Sequence, residues 1–488
     1  MRYRHDPNGT RLPVKLDTTT NGEFAPIALA PVHHRARQLA LEAATANAKR
    51  LNLARRDFLV SACGAASTLL AMNAAYAAGG RRAGYYELPP DAGLDLQVAR
   101  STLDKRDFIF DVQGHFVNPT GAWTRALPPG AQPLKFFAEN QSCAALTQPG
   151  LAYLQCLGAD EFVKDIFLDS DTDLIVLSFV PSTRKDEPLT IEEAAATARI
   201  VEKMEGTHRM LLHGRVNPNQ DGDLESMDAL AERYRISAWK TYTQWGPDGK
   251  GFFLDDDPGL ALIEKARKLK IRNIAIHKGL PFGPRSYEHS TCVDVGRVAK
   301  RFPDVNFLIY HSGFVAGKPE GPYDPSRTDG IDALITSLRD NGIAPGSNVY
   351  AELGSTWRFL MRDPDSAAHA MGKLLKHVGE GNVLWGTDSI WYGSPQDQIQ
   401  AFRSFQITDE VAGKFGYPKI TPALRAKVFG RNAVALYTIP DEVLKKHLPQ
   451  DKVTQDRQHY LERPDPTFVT HGPKTRREFL NLRAWSEA

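Results

Sequence analysis

Beyond about residue 105 the chain alternates short, nearly continuous apolar runs with amphipathic stretches. This is the pattern of strand–helix units that build a parallel sheet. The runs lie at 108–112, 174–179, 210–216, 236–240, 271–276, 305–310, 348–353 and 383–386. Strands covered on both faces read as continuous apolar stretches rather than as alternating ones, so these runs predict a sheet with helices outside it. The intervening segments carry helix start signals. Thr190 and Glu193 form a capping box ahead of an Ala-rich helix expected to stop at Gly206, and Asp257-Pro258 sets a cap and a first-turn proline before 260–269. Eight such units over roughly 300 residues predict an α/β fold, a TIM (β/α)8 barrel. A doubly wound open sheet is the second choice, but no Gly-x-Gly-x-x-Gly follows the first run to mark a dinucleotide site. About sixty residues separate the first run from the second, including Pro128-Pro129-Gly130 and Phe136-Phe137. A long insertion is therefore expected after strand one, over the top of the barrel, where it would serve as a lid. The barrel is expected at 106–440, after a linker at 81–105 and before a C-terminal helical extension at 441–488.

Residues 1–80 read as a separate leader. Up to about Arg56 they are polar and Arg-rich; then Arg55-Arg56-Asp57-Phe58-Leu59 opens an uncharged stretch to Gly80 that ends in the small-x-small pattern Ala75-Tyr76-Ala77. Together these resemble a twin-arginine export signal, which implies a periplasmic mature chain starting near Ala78. The alternative is a cytoplasmic chain in which these residues form a helical or disordered extension. Arg476-Arg477-Glu478-Phe479-Leu480 repeats the pentad with no apolar run behind it. The stretch is too diluted by Gly, Ser, Thr and Asn for a membrane span, so no integral span is expected in the mature chain.

Charge narrows the partners. Sixty basic residues balance fifty-eight acidic ones, for a formal charge of +2, which argues against nucleic acid or an anionic membrane as partner. A small-molecule substrate is expected, and assembly into a homo-oligomer is left open. The four cysteines are too few for a disulfide framework and none sits in a Cys-x-x-Cys pair, so any metal would be held by nitrogen and oxygen.

In a TIM barrel the chemistry sits where the strands end. The first run leads into Gln113-Gly114-His115, the fourth ends in Lys240, the fifth in His277, the sixth in His311 and the eighth in Thr387-Asp388. A single polar residue at a strand end is commonplace. Three histidines and an aspartate at the mouth ends of different strands form a set suited to Zn2+ or another divalent first-row ion, Mn2+ and Fe2+ included. Residues 113 and 115 lie two apart on a strand and should point the same way.

The segments Asp111-Val112-Gln113-Gly114-His115-Phe116, Ile276-His277-Lys278-Gly279, Tyr310-His311-Ser312-Gly313 and Leu384-Trp385-Gly386-Thr387-Asp388-Ser389 carry a family resemblance, with Phe429-Gly430-Arg431-Asn432-Ala433 closing it. As a set they resemble the amidohydrolase superfamily. The finer pattern is similar to its amidohydrolase-related branch, which includes aminocarboxymuconate-semialdehyde decarboxylase and the hydroxybenzoate decarboxylases. The resemblance implies that His115, His277 and Asp388 hold the metal and that His311 polarises substrate or shuttles protons. Gln113 stands where the family carries a histidine or an acidic first ligand, and an amide oxygen is the weaker donor. Lys240 occupies the place of the bridging carbamylated lysine of dinuclear members; an unmodified ammonium facing a substrate carboxylate is the preferred reading. Tyr242 and Trp391 are expected to wall the substrate. The implied activity is hydrolysis of a small carboxylic or aromatic compound by a metal-activated water. The alternatives are non-oxidative decarboxylation, or a silent barrel subunit, which Gln113 favours.

Overall fold

The computed structural model describes residue 3 and residues 6–82, 84–104, 107–125, 152–205, 209–281 and 287–480. Every expected strand forms: β1 (Phe110–Gly114), β2 (Leu174–Leu177), β3 (Met210–Arg215), β4 (Ile236–Tyr242), β5 (Asn273–His277), β6 (Asn306–Tyr310), β7 (Val349–Glu352) and β8 (Val383–Leu384). They pair in parallel in the order β1 to β8. The last strand returns to the first: Val112 N–H donates to Trp385 O at 3.0 Å, Asp388 N–H to Gln113 O at 3.0 Å, and Ile390 N–H to His115 O at 3.1 Å. With a parallel bridge between Gly114 and Ser389, these bonds bring the sheet nearly closed as a TIM barrel.

The inner side chains follow the two-residue period of a strand. Phe110, Val112, Leu174, Val176, Ala238, Ala275, Leu308, Tyr310 and Leu384 fill the barrel in one apolar cluster. Continuing that parity outward along β4 and β5 gives Lys240, Tyr242 and His277, so the apolar interior grades into the polar mouth. On β1 the register shifts between Asp111 and Gly114. Such a bulge re-aims a side chain, and beyond it Gln113 joins His115 at the mouth although Val112 already faces inward.

Helices cover the outside. The capping box at Thr190 is present: its N–H donates to Glu193 Oε2 at 2.9 Å, and Glu193 N–H donates to Thr190 Oγ1 at 3.3 Å. The helix it opens spans Ile191–Glu205. Its expected stop at Gly206 lies outside the described residues, as do Pro128-Pro129-Gly130 and Phe136-Phe137 of the insertion. The helix expected from 260 begins earlier, at Asp257, with Asp256 as its cap. In the C-terminal extension a helix forms over Lys452–Glu462. Cys156 is disulfide-bonded, while Cys63 and Cys292 are free and buried.

The N-terminal residues fold against the barrel. Helix α1 (Pro31–Arg50) buries Ala36, Ala40, Ala44 and Ala48, a four-residue stripe of small side chains that lets α3 (Ala62–Ala78) approach closely. Between them, α2 (Arg55–Leu59) buries Phe58, Leu59 and Arg56. Leu69 and Met72 of α3 share one apolar cluster with barrel-side residues such as Trp357 and Phe402. Among the described residues no helix is long and apolar enough to cross a membrane.

If α3 belongs to the cooperative unit, Leu69→Ala should lower stability by about 2–5 kcal/mol, the usual cost of emptying a buried leucine site. A shift of the denaturant midpoint at constant slope would register this; an unchanged midpoint would mean that α3 unfolds apart from the barrel.

Candidate active site

The closing of β8 onto β1 assembles half of the site. Asp388 is buried, and its Oδ1 accepts from Gln113 Nε2 at 3.1 Å and lies 3.2 Å from His115 Nε2. Its Oδ2 accepts from Ser355 Oγ at 2.5 Å and from Asn21 Nδ2 at 2.8 Å. Burial alone would raise the pKa of this carboxyl, but the His115 hydrogen bond and charge, with help from His311 and Ser355, hold it well below the usual carboxylate range. Asp388 is therefore ionised at neutral pH. His115 is oriented from behind, its Nδ1 3.1 Å from Ser178 O, and stacks with Trp391 at 6.1 Å between ring centres.

The second half comes from β5 and β6. The His277 and His311 rings lie 4.5 Å apart, and Tyr242 stacks on His277 at 4.6 Å. Tyr242 thus backs a histidine rather than lining open space. His311 Nδ1 bonds Gly354 O at 2.6 Å, which leaves Nε2 facing the mouth. Burial pushes the His311 ring down to about 4 against the pull of Asp388, and burial with the neighbouring His311 pushes His277 well below its ordinary value. Both rings are neutral near pH 7 and can present lone pairs.

Lys240 is buried with its ammonium over the faces of Tyr310 (3.8 Å) and Tyr242 (4.6 Å), and its Nζ has no hydrogen-bond partner among the described residues. Burial pulls its pKa down, opposed first by Glu352. Glu352 in turn accepts from the backbone N–H groups of His311 (3.0 Å) and Gly354 (2.5 Å). A Cβ on Gly386 would run into the Glu352 carboxylate, so that position requires glycine. Asp111 ties the two edges of the closure together through Gln113 N–H, Thr387 N–H and Thr387 Oγ1, and burial pushes it up to about 7.

Several of these groups were not singled out in the sequence: Asn21, Glu23, Asp111, Ser355 and the buried His213, whose Nδ1 lies 3.3 Å from Ser178 Oγ. The largest omission is Glu23. Its Oε1 lies 3.3 Å from His277 Nδ1 and its Oε2 3.9 Å from His311 Nε2. Glu23, His277 and His311 each offer a ligand atom within 4.8 Å of the others, the single such cluster among the described residues. The sequence held one local signal, the Asn21-Gly22 turn pair, which shows where the segment bends but not what it bends toward.

The donor set suits a divalent ion. Imidazole nitrogen and carboxylate oxygen converge in a buried place, and His311 Nε2 lacks a hydrogen-bond partner among the described residues.

A profile of the amidohydrolase family matches residues 111–439. The chain belongs to the amidohydrolase family. That family consists of enzymes, and the matched stretch runs from within β1 to beyond β8. No protein of curated function matches the chain. Among solved structures, 5-carboxyvanillate decarboxylase from Novosphingobium aromaticivorans, complexed with manganese, is 14% identical, with 69% of this chain and 97% of that one covered at a TM-score of 0.45. 2,6-Dihydroxybenzoate decarboxylase from Rhizobium is 15% identical, with 68% of this chain and 99% of that one covered at a TM-score of 0.41. A probable 2-pyrone-4,6-dicarboxylic acid hydrolase from Acinetobacter baumannii is 11% identical, with 68% and 99% covered at a TM-score of 0.42.

Purified amidohydrolase should carry about one divalent metal per chain, and His277→Ala or Asp388→Ala should remove it. Elemental analysis reads this directly. Wild-type protein that stays metal-free after incubation with zinc, manganese or iron would count against the donor set.

Proposed function

We propose that the chain is a metal-dependent hydrolase of a small carboxylic or aromatic substrate, with His115, His277 and Asp388 as metal ligands. The observation that carries this reading is the buried, ionised Asp388, placed between His115 and the mouth. When bound, a divalent metal supplies Lewis acidity, polarising a carbonyl and acidifying water; zinc suits the N/O donors, with manganese or iron as alternatives. Asp388 accepts the proton that the attacking water gives up. His311, neutral and with its Nε2 lone pair toward the mouth, takes up that proton in turn and passes it to the leaving group. Lys240 pairs with a substrate carboxylate, and Trp391 beside His115 forms one wall.

Non-oxidative decarboxylation is the second reading, and Lys240 favours it: a buried ammonium over two tyrosine rings is placed to hold the carboxylate of an acid substrate. Incubating the metal-loaded enzyme with a panel of aromatic and dicarboxylic acids, lactones and amides separates the two. Hydrolysis products without carbon dioxide support the first reading; carbon dioxide release from an acid replaces it with the second.

For residues 1–80 we propose that they stay with the enzyme. Arg56 is buried and paired to Asp6 at 3.2 Å, and a receptor-read export address has to be exposed. Twin-arginine export with cleavage near Ala78 is the competing proposal. N-terminal sequencing of protein from separated cell fractions distinguishes an intact start from one near residue 78.

A proton-transfer role for His311 has its own outcome. His311→Ala should leave metal content unchanged and lower kcat by about 10²–10⁴-fold, the usual worth of a positioned acid–base group. Loss of the metal instead would make His311 a ligand.

A further inference from the structure

We propose that the N-terminal arm, residues 17–24, supplies a ligand to this metal site: the Glu23 carboxylate joins His277 in holding the divalent cation, in compensation for the weak donor at Gln113. The arm lies outside the stretch that matches the family, which begins at residue 111. The inference rests on the metal-dependent reading above.

Strand one presents the wrong end of its amide. Gln113 turns Nε2, a donor, toward Asp388, while a Cβ on Gly354 would run into its Oε1. A cation needs an oxygen or a lone pair there, and Glu23 brings one. Its two oxygens are divided: Oε1 lies 3.3 Å from His277 Nδ1, while Oε2 accepts from Asn21 Nδ2 and lies 3.9 Å from His311 Nε2. One carboxylate can thus ligate beside His277 and still face the proton carrier. The fully buried His311, whose Nε2 lacks a hydrogen-bond partner among the described residues, is directed at the same place.

The residue types point the same way. Glu23, Glu352 and Asp388 are three buried acidic side chains at the mouth, against the single buried lysine Lys240. A divalent cation between Asp388 and Glu23 would let both stand there as carboxylates.

The arm is held in place along its length. Asp17 pairs with Arg358 at 2.9 Å, Thr19 Oγ1 donates to Thr470 Oγ1 at 2.7 Å, and Thr20 N–H donates to Pro473 O at 3.0 Å. Asn21 clamps both sides of the turn: its Oδ1 accepts from Glu23 N–H at 3.0 Å while its Nδ2 donates to Asp388 Oδ2 at 2.8 Å. Phe24 then packs edge-on against Phe359 at 4.7 Å. These contacts fix the Glu23 backbone relative to Asp388, which is what a ligand residue requires.

The test measures zinc affinity of the full-length chain, stripped and reloaded, by competition with a chromophoric chelator. Glu23→Gln keeps size while removing the charge; it and Glu23→Ala should weaken zinc binding by at least about 10–100-fold, the usual cost of losing even a ligand's supporting partner. Glu23→Asp should weaken it less. Equal melting temperatures of the metal-free proteins show that folding is unchanged. If Glu23→Gln binds zinc like wild type while His277→Ala does not, the arm is not a ligand and the metal reading survives. If affinity is unchanged and turnover rises, the arm is a plug over the mouth, which also overturns the proposal. If wild type binds no zinc, manganese or iron, both readings fall together.

Discussion

The Asp388 carboxylate is buried where the last strand of the barrel meets the first, and the mouth is organised around keeping its charge satisfied. Gln113 and His115 reach it from β1, Ser355 from the turn after β7, and Asn21 from the N-terminal arm. An ionised carboxylate in such a place is tolerated only when several donors converge on it. Closure of the barrel, the bulge in β1 and the path of the arm all contribute to that convergence.

The backbone around it is held in uncommon conformations. His311, Ser312, Ser355 and Asp388 all have φ between 53° and 65°, in the left-handed region that costs non-glycine residues about 1–3 kcal/mol each. Such positions persist only where the surroundings over-determine them. Here Glu352 accepts the His311 N–H, Ser312 Oγ donates to Glu352 O at 2.7 Å, and Thr356 Oγ1 donates to His311 O at 2.9 Å. The result is a turn that aims an imidazole inward at the end of β6, rather than letting the strand continue past the mouth.

The N-terminal segment has a composition that suits more than one role. A composition of Arg, Ala and small polar residues suggests a leader, yet a helix rich in alanine is also well suited to close packing on another helix. The stripe at Ala36, Ala40, Ala44 and Ala48 is used that way against α3. The arm at 17–24 runs into α1, and its Phe24 shares one apolar cluster with Leu69 and Met72 of α3.

Legibility in the sequence divides along the range of the interactions involved. The eight strands were readable because a strand buried on both faces needs a continuous apolar run, and the residues at their ends were readable because polar side chains there have to serve the mouth. His115, His277, His311 and Asp388 follow from that local rule, as does the Thr190 capping box. The exact helix start at Asp257 was less so, since neighbouring aspartates compete for one cap. Glu23 and Asn21 carry no such local mark. Asn21 meets Asp388 across 367 residues of chain, and a contact of that span is decided by how α1 and α3 dock and by which face of the barrel the arm then crosses. Local periodicity determined the barrel and its histidines; only tertiary packing decided that a carboxylate from the chain's first residues would stand among them.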